Sequence, residues 1–387
     1  MKLVIIICFF LIFATGLTMV FNTSSAEVLD KSLSCSTHYA LFRQITYACI
    51  SGFIAYLVWK IGIFEAIRIS PVLFAINILA LCLVFVPGIG VCRKGAHRWL
   101  NFAGLHIQPS EFIKYIMPLF YIEKITSFPE YKESFKKFLI LASSLLISVI
   151  LVMLEPDNGT ALVLLATMVV LFIISEVPLK FWMWPLLVSL IIGSVTAYNL
   201  PYVRGRIAVY LNPGLDLKGK GHQPHQAKIA AGSGRIFGKG PGNSLQKLTY
   251  LPEAKNDYIA AIYAEEFGFI GILVLTSFYA TLAYGSFVVS LNSATIKGAY
   301  LAAIIAFIVA FQVFLNLGVV SGLLPSKGVN LPFFSQGGSS LIANFCGLAL
   351  LLKIGQHEQK NYNSSRRNRR APLSRTRNST TVKRKGI

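Results

Sequence analysis

Apolar residues in this chain fall in long unbroken runs, unlike the alternation of a half-buried strand or the one-sided stripe of a soluble helix. Ten runs stand out, near 3–21, 41–60, 69–91, 109–122, 138–154, 158–176, 181–200, 258–290, 297–322 and 338–354. A helix needs roughly 20 apolar residues to cross a bilayer. The fourth run is short and the eighth long, which predicts tilt or a break. The ten-residue alternation of a transmembrane barrel is absent from the sequence. The pattern therefore predicts an all-α polytopic membrane domain over 1–354 with about ten transmembrane helices. A long outer loop, 201–256, separates the seventh and eighth. The first run follows Lys2 and precedes Ser24, Ser25 and Ala26, as a signal peptide's would. It outlasts the about 7–15 apolar residues of a signal core, so a retained helix is expected.

Composition agrees with a membrane protein. Of 387 residues, 55% are hydrophobic and 13% charged, against about 25% charged in soluble domains. The six cysteines form no CxxC pair and the six histidines no HxxxH or HExxH, so no metal site of sequence-local ligands is expected.

The net charge of +20 is unevenly placed. Residues 355–387 carry ten Lys or Arg against Glu358 alone, which predicts a disordered basic tail. The positive-inside tendency puts that tail, and with ten spans the N-terminus too, in the cytoplasm. Attraction to anionic lipid accounts for such a tail better than nucleic-acid binding, for which no reader domain is present.

Two segments break the charge rule on the outer side. One holds Arg93, Lys94, His97 and Arg98; the other is loop 201–256, with nine cations against Asp216 and Glu253. Long loops cross regardless of charge, but an anionic ligand such as a lipid-linked pyrophosphate also explains the excess. Within the loop, the glycine-rich stretch 232–243 has exposed N–H groups suited to phosphate, with Arg235 and Lys239 adding charge. Its spacing is not that of a P-loop.

Asp257 stands at the start of the eighth span, where a carboxylate either caps the helix or does chemistry. Ala261, Ala264, Gly268 and Gly271 lie on its face, a small-residue stripe that suits a groove for a lipid chain or close helix packing. Glu265 and Glu266 fall inside the span and need partners or a polar cavity. In the fourth span, Glu111 and Lys114 are one turn apart and read as a structural ion pair. Asp157 through Thr160 reads as a turn and helix cap. Loop 323–337, with Pro325, Gly328, Pro332, Gly337 and Gly338, predicts irregular backbone lining a cavity or buried in protein.

Five blocks in order carry a resemblance. They are Gly95-Ala96-His97-Arg98-Trp99, Gln108-Pro109-Ser110-Glu111, Glu155 through Thr160, Gly232 through Gly271, and Leu331 through Ser340. Together they resemble the SEDS family (shape, elongation, division and sporulation). The segment from Asn243 to Ala254 is more similar to its division branch than to its elongation branch. The resemblance implies a glycosyltransferase that polymerises lipid II into peptidoglycan at the outer face of the inner membrane during division. It implies undecaprenyl pyrophosphate as leaving group, a class B penicillin-binding transpeptidase as partner, and other divisome membrane proteins around it.

The family's essential aspartate falls on Asp257, expected as general base. Arg98 and Lys239 first, then Arg235, Arg204, Arg206 and Lys247, are expected at the pyrophosphate, with Glu253 among the substrate-binding residues. A divalent ion (Mg or Mn) bridging Asp257 and pyrophosphate fits the chemistry. Lys255 and Asn256 replace the family's usual His-Thr, and Gln336 replaces an aromatic residue. The rival readings are a flippase for the same lipid, with polar residues along a transmembrane path, and a non-catalytic divisome scaffold.

Overall fold

The computed structural model describes residues 1–31, 38–93, 96–102, 105–199, 201–211, 219, 221–248, 251, 254–326 and 328–370. In chain order these form α1 (Lys2–Lys31), α2 (Tyr39–Ile61), α3 (Ile63–Leu83), β1 (Gly90–Arg93), β2 (Ala96–Phe102), β3 (Leu105–Ile107), α4 (Pro109–Ser127) and α5 (Glu130–Glu133). Next come α6 (Phe135–Leu154), α7 (Asn158–Ile174), α8 (Leu179–Asn199), α9 (Pro201–Leu211), α10 (His222–Ser233), α11 (Ile259–Leu291), α12 (Ile296–Ser321) and α13 (Gly338–Arg370). A helix occupies each of the ten predicted spans. By length and composition, α1, α2, α3, α6, α11, α12 and α13 can each cross a membrane. The helix α4 carries Glu111, Lys114, Glu123 and Lys124, which lowers its hydropathy.

Several boundaries differ from the sequence pattern for local reasons. The α1 helix continues beyond residue 21, and there Thr23 and Ser24 turn their hydroxyls back onto the carbonyls of Met19 and Val20, at 2.9 and 2.6 Å, so neither is left unpaired. The third helix begins at Ile63, ahead of Pro71, and stops at Leu83, short of Pro87 and Gly88. The outer segment after it is a three-stranded antiparallel sheet, β1-β2-β3, with Val91 opposite Trp99 and Leu100 opposite Ile107. An all-α description misses this sheet. Loop 201–256 contains α9 and α10, with Pro201 and Pro224 in their first turns, where a missing N–H costs nothing. The α13 backbone is helical to Arg370, and neither Gly nor Pro follows Gly355 until Pro372. Residues 371–387 lie outside the described residues.

The bundle is built around α12, which packs on α4, α7, α10, α11 and α13. Its apolar window and that of α13 are each 67% buried, against 11% for α2. The outward faces carry large apolar side chains such as Phe53, Ile76, Leu154 and Phe269, as a lipid-facing surface requires. In α11 the helix breaks at Gly268, whose φ of 67° and ψ of −164° lie outside the helical region. Glycine adopts such a φ without a Cβ penalty.

Candidate functional site

The first turns of α4, α7, α11 and α13 converge at one end of the bundle, the outer end in the expected orientation. Gln108, just before α4, donates from its backbone N–H to Ser339 Oγ of α13 at 2.9 Å. Its side-chain Nε2 donates to Asp157 Oδ2 at 3.2 Å, and Ser110 Oγ lies 3.4 Å from the same oxygen. Asp157 caps α7, accepting from Thr160 N at 3.3 Å and Thr160 Oγ1 at 3.0 Å. Residues 255–257 are tied down from below and beside. Gln336 N donates to Lys255 O at 3.0 Å, Ser335 Oγ to Asn256 O at 2.8 Å, and Asn316 Nδ2 of α12 to Asp257 O at 2.8 Å. The N-terminal ends of α4, α7 and α13 are thus tied to one another through Gln108, Asp157 and Ser339, beside the head of α11 that carries Asp257.

Two glycines let these segments close up. A Cβ built on Gly328 would stand 2.7 Å from Asp257 Oδ2, and one on Gly159 would stand 2.6 Å from Gly328 O. The turn 155–160 and Gly328 thus close up backbone to backbone, and Asp257 brings its carboxylate against the same glycine. This gives Gly328 and Gly159 a physical reason to lack side chains.

Arg98, on β2, reaches the C-terminal end of α6. It donates from Nε to Glu155 O at 3.0 Å and from Nη2 to Pro156 O at 2.6 Å. No carboxylate pairs with it among the described residues, so its charge stays available. Glu155, just past α6, is fully buried with both carboxyl oxygens unpartnered. Burial pushes its carboxyl up to about 9, with Asp157 adding to the shift and Arg98 opposing it. At neutral pH that keeps it a neutral acid, beside a guanidinium bonded to two backbone carbonyls.

The glycine-rich stretch has a different occupant from the one its sequence suggests. Glu265 is fully buried. It accepts from Lys239 Nζ at 2.6 Å, Ser244 Oγ at 2.5 Å, Ser233 Oγ at 3.3 Å, and the backbone N–H groups of Leu245 and Gln246 at 3.3 and 3.2 Å. Glu266 accepts from Asn22 Nδ2 of α1 at 2.7 Å and Lys247 Nζ at 2.9 Å. Here is the anion cradle expected of repeated glycines, filled by the chain's own carboxylates. Lys239 and Lys247, expected at a pyrophosphate, face Glu265 and Glu266 instead, because two buried carboxylates demand cations.

The remaining candidates are dispersed. Arg235 is exposed at a φ of 48°. It lines an apolar groove of about 730 Å³ between α10, α11 and α12, together with Ala264, Gly268, Tyr279, Phe314 and Leu317. Ala264 and Gly268 of the small-residue stripe therefore line a groove, but Asp257, Ala261 and Gly271 do not. Arg204 lies over the Tyr198 ring at 5.0 Å and donates to Tyr198 O at 2.7 Å. The side chain of Arg206 and all of Glu253 lie outside the described residues. Lys114 Nζ stands 2.7 Å from Glu111 Oε2 and 2.8 Å from Gln312 Oε1, deep between α4 and α12. Asn316 and Gln312, polar residues one turn apart in an apolar span, are the site neighbours sequence reasoning passed over. Their spacing was the available signal.

No group of three or more His, Cys, Asp or Glu able to hold a metal occurs among the described residues.

A family model described as "Cell cycle protein" and covering FtsW, RodA and SpoVE matches residues 2–360. A probable peptidoglycan glycosyltransferase FtsW of Coxiella burnetii is 35% identical over 360 residues, covering 90% of this chain and 95% of the relative. Stage V sporulation protein E of Bacillus subtilis is 33% identical, covering 92% and 97%. A solved chain from a peptidoglycan synthase complex that coordinates polymerization and crosslinking superposes with a TM-score of 0.73 at 26% identity, covering 92% of this chain and 97% of that one.

Proposed function

The chain belongs to the FtsW, RodA and SpoVE family of cell cycle proteins, and we propose that it is a peptidoglycan glycosyltransferase that polymerises lipid II at the outer face of the bacterial inner membrane, with both termini in the cytoplasm. The observation that carries this reading is the position of Asp257. It is a carboxylate at the head of α11, set against Gly328, whose backbone in turn meets Gly159 in the first turn of α7.

In this reading Asp257 takes the proton from the 4-hydroxyl of the acceptor sugar as that oxygen attacks C1 of the donor. The C1–O bond to pyrophosphate breaks as the new β-1,4 bond forms, so the configuration at C1 inverts and the electron pair leaves with undecaprenyl pyrophosphate. Charge developing on that group needs fixed positive partners. Arg98 and the convergent helix ends supply them, with Arg235 and Arg204 as outlying cations. The neutral state of Glu155 matters here, since a carboxylate at that position would cancel Arg98.

The flippase reading is less well supported. The charged residues inside the bundle, Lys114 with Glu111, Lys239 with Glu265, and Lys247 with Glu266, are closed ion pairs instead of a polar path. We further propose a class B penicillin-binding transpeptidase as partner and a place among the divisome membrane proteins. The relatives named for division and sporulation and the coupled synthase complex support both. Purified lipid II, incubated with the protein and its transpeptidase, tests the activity: glycan polymer supports the reading, and lipid II transport without polymer supports the flippase.

A further inference from the structure

The two lysines drawn into the glycine-rich loop bear on the base itself. The break at Gly268 frees the carbonyls of Glu265 and Glu266 and the N–H groups of Phe269 and Ile270, which an unbroken helix would pair with one another. The loop takes all four. Lys239 N and Gly240 N donate to Glu265 O and Glu266 O, each at 3.0 Å, while Phe269 N and Ile270 N donate to Arg235 O and Ile236 O at 2.9 and 3.1 Å. The fit is tight enough that a Cβ on Gly268 would stand 2.3 Å from Gly238 N, and one on Gly238 would stand 2.1 Å from Glu266 O. The segment 259–267 is thus a separate half-helix of about two and a half turns. It carries Asp257 at its head, and the loop, not the rest of α11, holds its foot.

The side chains repeat this arrangement. Lys247 Nζ donates to Glu266 Oε1, Gly242 O and Asn22 Oδ1 at 2.9, 2.5 and 2.7 Å. That uses all three ammonium donors, so none remains for a phosphate. Lys239 lies 2.6 Å from Glu265 Oε1, and its side chain keeps 31% exposure. We propose that Lys239 and Lys247 are positioning residues, which through Glu265 and Glu266 fix the half-helix bearing Asp257, so that the outer loop sets where the base stands. This rests on Asp257 being the base of a glycosyltransferase.

The test uses the full-length protein with its transpeptidase and a titration of lipid II. Lys239→Met is expected to lower kcat five- to twenty-fold with KM within twofold. Lys239→Arg should restore most of the rate. Glu265→Gln should lower kcat in the same way, and the double variant should be no worse than the poorer single one. Amide exchange over 256–262 should rise in Lys239→Met while that over 300–315 stays unchanged. A raised KM with kcat held in Lys239→Met would make Lys239 a substrate ligand and overturn the proposal. Unchanged exchange over 256–262 would overturn it as well. If Glu265→Gln does not fold, the variants of the partly exposed Lys239 still decide. If the wild type forms no polymer, the glycosyltransferase reading fails, and exchange alone then reports on the latch.

Discussion

Gly328 and Asp257 are in backbone-to-carboxylate contact: a single added Cβ on the glycine would come within 2.7 Å of Asp257 Oδ2. Gly328→Ala is therefore expected to displace the carboxylate without touching the core. Misplacing a base by an ångström costs about 100-fold in rate. The check is polymerisation by Gly328→Ala beside its melting temperature. Activity should fall at least tenfold while the fold survives.

The Gly268 break predicts a stability effect. Its φ of 67° disfavours any side chain, and Gly238 N blocks the space a Cβ would take. Strained backbone of this kind costs about 1–3 kcal/mol. Gly268→Ala should lower the thermal midpoint in detergent, and by more than Gly232→Ala, where a Cβ meets nothing within 4 Å.

The pair at Lys114 and Glu111 predicts an asymmetry. Their side chains are 2% and 6% exposed, and removing one partner of a buried pair costs about 3–5 kcal/mol. Lys114→Met alone should be strongly destabilising, because it strands the Glu111 charge. Lys114→Met combined with Glu111→Leu should recover much of the loss in a melting or expression assay.

Glu155 predicts a pH dependence. The ordinary carboxyl value is 4.5, and in the folded protein it is pushed up to about 9. Between those values the folded chain holds a proton that the unfolded chain has released. The stabilising contribution is therefore fully present below the lower value and declines until pH passes the upper one. The melting temperature of the wild type should fall from pH 6 to pH 9.5 relative to Glu155→Gln, which lacks the titrating group. Parallel curves for the two proteins would count against a buried neutral acid.

Much of this architecture was legible in the sequence, because lipid demands long apolar helices and leaves them visible as runs. Asp257 was legible too, as a carboxylate at the mouth of one such run. Partnership was not. Lys239 and Lys247 meet Glu265 and Glu266 only because Gly268 breaks α11 and opens room for the loop. Read along the chain, the same lysines look like free cations beside a phosphate cradle. Helices α9 and α10 were hidden because their mixed polar composition gives no apolar stripe. Glu155 was hidden because burial without a partner leaves no mark in sequence.

The central claim is that Asp257 is the base of a lipid II polymerase. The most direct measurement is glycan formation from purified lipid II by the wild type and by Asp257→Ala, each with the cognate transpeptidase. The account predicts polymer from the wild type and none from an Asp257→Ala protein that is folded and still binds its partner. Polymer from that variant at the wild-type rate would contradict it.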